Sequence, residues 1–140
     1  MKKWLKSAQA SMEFLVIFGF VFLMMVPLII IFFDQTGTVE DAIAGNQLRN
    51  IAIKIADKAE SVYYTGGTSK TTLKVYFPDG LTSFNITSRT IIFGYTTKKG
   101  VFQNIEAVSI VNITGNLSVT PGIHYIEIQS NGGLVSIGEE

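Results

Sequence analysis

The chain has 140 residues, 47% of them hydrophobic, with eleven basic and eleven acidic side chains and no cysteine. The missing cysteines exclude a disulfide framework and any thiolate metal site. The single histidine, His124, excludes two-histidine metal clusters and leaves little room for a conventional catalytic triad.

Charge is unevenly placed along the chain. Lys2, Lys3 and Lys6 fall within the first eight residues, where there is no acid. The remainder holds eight basic against eleven acidic side chains, a net charge of −3. A mildly acidic body does not suit nucleic-acid binding, which needs a clustered basic surface, so no nucleic-acid partner is expected.

Residues 14–33 then form an uncharged, almost wholly apolar run that Asp34 closes. Twenty residues at about 1.5 Å each give about 30 Å of helix, the thickness of a bilayer's hydrocarbon core. The lysines before it place the N-terminus on the cytoplasmic side and everything after Asp34 outside. A secretory signal has a shorter apolar core and a small-residue cleavage site beyond it. Phe32-Phe33-Asp34-Gln35 is no such site, so the helix is expected to be retained. Pro27 lies inside the run, where it removes one backbone hydrogen bond and is expected to kink the helix. Gly19 and the phenylalanines at 18, 20, 22, 32 and 33 could interlock with neighbouring helices or face lipid.

The junction Ser7-Ala8-Gln9-Ala10-Ser11-Met12-Glu13-Phe14 joins the basic stretch to the apolar run. With Gln9 followed four residues later by Glu13, it resembles the archaeal class III signal peptide, the leader of type IV pilin-like precursors. The resemblance covers about 25 residues; family members often carry glycine where this chain has Ala8. It implies that a prepilin peptidase cuts between Ala8 and Gln9, leaving the apolar helix at the mature N-terminus. It further implies that the pilus assembly machinery draws the subunit into a filament. There Glu13 would neutralise the freed α-ammonium of a neighbour's Gln9. Without the resemblance, Glu13 reads as a carboxylate in the helix's first turn, favoured by the dipole and solvated by headgroups.

A second helical stretch follows Asp34-Gln35-Thr36-Gly37, with Gly37 marking a short break and Thr38 a weak capping signal through Asp41. Ile43 or Ala44, then Leu48, Ile51, Ile55, Ala59 and Val62 recur at the three-to-four spacing of one helix face. Asn46, Arg49, Asn50, Lys54, Asp57, Lys58 and Glu60 suit a solvated side. Thr65-Gly66-Gly67 supplies the stop.

From Thr71 the period changes to two. Strands are expected at 71–77, 81–87, 90–96, 101–103, 107–114, 123–129 and 134–137. In the first, Leu73, Val75 and Phe77 share a face opposite Lys74 and Tyr76. Pro78-Asp79-Gly80 is a turn in which Pro presets φ and Gly permits a positive one. Pro121-Gly122 leading into a strand with Tyr125 resembles the strand entry of many extracellular β-sandwiches. Ile126 and Ile128 should point inward, with His124 at the rim of that face. A hydrogen-bonded structural role is expected for His124 rather than a ligand role. Asn85, Asn112 and Asn116 each open an N-x-[ST] acceptor for N-glycosylation, all in the part that topology puts outside. Asp79, Glu106 and Glu127 stand isolated, with no phosphate loop and no nucleophile elbow nearby, so neither catalysis, cofactor nor metal is expected.

The sequence therefore reads as α+β. Residues 1–8 form a basic leader, 9–33 an apolar helix and 34–66 an amphipathic stalk helix. Residues 67–140 form a small antiparallel β domain, sandwich-like or wrapped on the helix, the plan of a type IV pilin. The functional expectation is a self-associating structural subunit of a surface filament used in adhesion. The rival readings are a minor pilin and a non-polymerising single-span surface protein that binds through its β face.

Overall fold

The computed structural model describes the backbone of residues 2–140 and the side chains of residues 11–140. The leader lysines and the expected processing positions, Ala8 and Gln9, lie outside the described side chains. The architecture is α+β, as expected. One helix, α1 (Lys2–Thr65), precedes β1 (Lys70–Phe77), β2 (Leu81–Thr87), β3 (Thr90–Thr96), β4 (Phe102–Val108), β5 (Ile113–Gly115), β6 (Gly122–Ser130) and β7 (Val135–Glu139). The chain divides into two compact units, residues 1–38 and 39–140.

The expected break at Gly37 is absent: α1 is helical straight through it. A glycine inside a helix costs only about 1 kcal/mol, which helical neighbours on both sides offset. The flanking threonines also stay within the helix. The Thr36 hydroxyl donates to the Phe32 carbonyl at 2.9 Å and that of Thr38 to the Asp34 carbonyl at 3.4 Å. Thr38 is thus no N-cap. What changes near Gly37 is packing, since Val39 begins the unit that holds the core.

The stripe on α1 is the one expected, and it resolves its one open position in favour of Ala44, with Ile43 exposed. Ala52 and Ala56 complete the buried face. The helix ends where Gly66 takes a φ of +77°, its N–H donating to the Tyr63 carbonyl at 3.2 Å.

Two sheets share this helical face. One has the order β1-β6-β7-β5, the other β2-β3-β4. Phe77 on β1, Ile126 and Ile128 on β6 and Phe93 on β3 join Leu48 and Ile55 in a single cluster. The wrapped arrangement is therefore the one adopted. In β1 the predicted alternation holds, Val75 and Phe77 buried and Lys74 and Tyr76 exposed.

Two details depart from expectation. The anticipated strands 101–103 and 107–114 are one strand, β4, then a separate β5. Asn104 and Glu106 do not interrupt β4, because they fall on its outward face with Ile105 turned inward. The chain then leaves the sheet at Ser109 and re-enters the other one as β5. That crossover makes β5 parallel to β7, the one parallel pair among the described strands. Gly115 permits it: at φ +146° its Cα lies so close that a Cβ would sit 1.9 Å from the Ile137 carbonyl oxygen.

Candidate membrane and assembly surface

Every side chain from Ser11 to Thr36 is exposed. Phe14, Phe18 and Phe22 stack along one line of α1 at i, i+4, with ring centroids 5.3 Å apart at each step. Patches of bare apolar surface beyond a few hundred Å² are not stable in water, so this surface requires lipid or protein around it. The helix is long and apolar enough to cross a membrane, which makes it a candidate membrane anchor.

Glu13 sits at the edge of this surface beside Met12, Val16 and Ile17. Among the described residues no side chain pairs with it. Nor is it in the first turn, because α1 begins at Lys2, about three turns earlier. The dipole explanation for this carboxylate therefore fails for the chain as it stands. Pro27 lies within the helix, which continues through it; the carbonyl of Leu23, four residues back, lacks its usual partner there.

In residues 39–140 a cleft forms where α1 meets the turn after β1 and the end of β3. Asp41 organises it. The Tyr95 hydroxyl donates to Asp41 Oδ1 at 2.8 Å, and the Lys98 backbone N–H donates to the same carboxylate at 3.0 and 3.3 Å. Lys98 Nζ pairs with Glu40. Burial of the Tyr95 ring, then the hydrogen bond and negative charge of Asp41, push its phenol up to about 12 from an ordinary 10.0. A raised phenol pKa means that the folded chain keeps a proton which the unfolded chain has released between those values. Stability from this contact is then complete below pH 10 and lost as pH climbs through about 12. Denaturation midpoints of the wild type should fall across that window, and Tyr95→Phe should flatten the fall. Superimposable pH profiles would refute the assignment.

His124 is buried, and the expected structural role is the one it plays. Nε2 donates to the Thr120 carbonyl at 2.7 Å, Nδ1 faces the Glu139 carboxylate, and the ring lies 4.6 Å from that of Phe77. A hydroxyl, Thr120 Oγ1, stands 3.4 Å from Nε2, so hydroxyl, imidazole and carboxylate fall in triad order. Because a carbonyl can only accept, Nε2 must carry its proton and is not free as a base toward Thr120. Sequence reasoning missed Glu139 because it is fifteen residues from His124 and arrives only through the β6–β7 pairing. It also misplaced Glu60. That carboxylate is half-buried and accepts from the Ser109 hydroxyl at 3.2 Å and the Ile110 N–H at 2.8 Å, anchoring the segment between β4 and β5.

The three acceptor asparagines are all exposed, as are Thr87, Thr114 and Ser118 two residues beyond them. Asn85 lies on β2, an edge strand, and Asn112 and Asn116 flank β5. Asn112 alone is engaged, its Oδ1 accepting from Arg89 Nε at 3.2 Å. Among the described residues no cluster of His, Cys, Asp and Glu could hold a metal ion. No protein-family model, curated protein or solved structure matches the chain.

Proposed function

We propose that this chain is an archaeal type IV pilin-like structural subunit, cut by a prepilin peptidase between Ala8 and Gln9 and assembled through α1 into a surface filament. The observation that carries the reading is the pairing of a wholly exposed apolar helical surface over residues 14–33 with a carboxylate at its edge, Glu13, that has no partner among the described residues. In a plain membrane anchor that carboxylate would sit at the headgroup boundary, where water and headgroups solvate it; drawn into a dry helix bundle it needs a cation. In a bundle of such helices it has a partner, the α-ammonium freed at Gln9 of a neighbour. Membrane-embedded assembly machinery would move the subunit from bilayer to filament. The β domain would be displayed outside in adhesion, with Asn85, Asn112 and Asn116 as glycan acceptors.

The test is intact mass and N-terminal sequencing of the protein taken from its native surface. A mature chain starting at Gln9 is expected. A chain starting at Met1 or Lys2 would favour a non-polymerising anchor instead. A start beyond Asp34 would mean a released domain and would overturn the proposal.

A further inference from the structure

Residues 116–121 join β5 to β6 as a strap with no strand structure of its own. Its apolar side chains turn inward, Leu117 buried and Val119 packed on the core. Its polar groups converge on two side chains from outside the strap. The Thr120 carbonyl accepts from His124 Nε2 at 2.7 Å, and the Ser118 N–H donates to Glu139 Oε2 at 3.4 Å. The other oxygen of that carboxylate, Oε1, faces His124 Nδ1. One imidazole and one carboxylate from the last strand thus hold the strap from both sides.

The protons in this network can be counted. A carbonyl has none to give, so Nε2 supplies the first. A carboxylate has none either, so the contact between Nδ1 and Oε1 needs a second. A neutral imidazole beside a carboxylate carries only one, and without the other two lone pairs would oppose each other. The surroundings suit a cationic ring. The Phe77 ring lies 4.6 Å away, within cation–π range. From β1, Val75 and Phe77 face His124, while Lys74 and Tyr76 take the opposite face. On β3, Phe93 packs against Phe77, and Tyr95 is turned to Asp41. The buried face of α1 from Ala44 to Val62 is wholly apolar. On β7, Glu139 is followed by Glu140, whose N–H donates to the Tyr125 carbonyl. Among the described residues, Glu139 is therefore the one charged side chain in contact with the ring.

We propose that His124 and Glu139 form a proton-gated clip on the strap of residues 116–121. The closed form holds one proton more than a neutral imidazole and a carboxylate do. Closure is thus favoured as pH falls and is lost as pH rises past the point where the ring gives up its second proton. Loss of that proton sets Nδ1 against Oε1, drives Glu139 away and takes the Ser118 contact with it. The strap then keeps its apolar anchors, Leu117 and Val119, and loses its polar ones. The device lies wholly within residues 39–140 and does not depend on filament assembly.

Because His124 is the only histidine, its ring signals need no assignment. The test is nitrogen-15 NMR of the full-length chain in detergent micelles, with pH raised from about 5 until the Nδ1 proton is lost. Two protonated ring nitrogens are expected at the start. The amide protection factor of Ser118 should then fall at least about tenfold, with the same midpoint as the ring. A ring that titrates without a response at Ser118 would overturn the proposal, as would a closed strap around a ring with one proton. Glu139→Gln separates the gate from mere packing. Its amide NH₂ can donate to a bare Nδ1 while its oxygen accepts from Ser118, so the neutral ring fits. That variant should keep the strap closed over the whole range; opening of its strap within the range refutes the gate.

Discussion

Glu13→Ala is expected to abolish recoverable filaments while leaving membrane insertion and cleavage before Gln9 intact. The reasoning starts from the solvent that the side chain meets. Its neighbours Met12, Val16 and Ile17 offer no hydrogen-bond donor, so a carboxylate in a closed helix bundle survives only if a cation reaches it. In the proposed filament, alanine would leave the α-ammonium of the adjoining subunit buried and unpaired. Breaking one member of such a pair costs about 3–5 kcal/mol, a factor of about 10²–10⁴ in each subunit's association. Glu13→Gln keeps size and hydrogen bonding without charge and should fall between the two. Filament mass per cell, measured by shearing and electron microscopy, gives the answer. Wild-type yields from Glu13→Ala would eliminate the pairing role.

A second large effect is expected on the stability of the β domain. Of the 22 hydrophobic residues buried among the described ones, eight belong to α1, from Ala44 to Val62. The strands alone would face water with Phe77, Phe93, Ile126 and Ile128 uncovered. A fragment of residues 67–140 should therefore lack a cooperative unfolding transition and bind a hydrophobic dye. Residues 39–140 should fold as a soluble species, because they include the whole shared core and omit the apolar run. Within that fragment Ile55→Ala, which empties a fully buried position, should cost about 2–5 kcal/mol. That is a large fraction of the 5–15 kcal/mol of a typical domain. Cooperative unfolding of residues 67–140 by themselves would mean that α1 is an accessory and not part of the core.

Local chemistry was enough to read the elements whose cause is local. The twenty-residue apolar run is legible because its length at the helical rise matches bilayer thickness, which marks a candidate membrane anchor. The stripe from Leu48 to Val62 follows from the 3.6-residue period, and the alternation of β1 from the two-residue period. Gly66 stopped the helix for a reason visible at one position. Gly37 and Thr38 misled because their local preference for a break is worth about 1 kcal/mol, and helical neighbours outweigh it. Fusion of the strands around Asn104 and Glu106 was hidden by polar residues that merely take the outward face.

The contacts that build the cleft and the clips belong to a different class. Asp41 meets Tyr95 across 54 residues, Glu60 meets Ser109 across 49, and Glu139 meets His124 across a strand pairing. None leaves a spacing signal, because each depends on how two sheets close over one helix. By itself the sequence determined the membrane-length helix, its amphipathic continuation and the period of the strands, since each follows from residues within one or two turns of one another. Sheet order and the parallel β5–β7 pair were decided only in three dimensions. Long-range burial, and not any local preference, determines which polar groups are engaged and which remain free to meet another molecule.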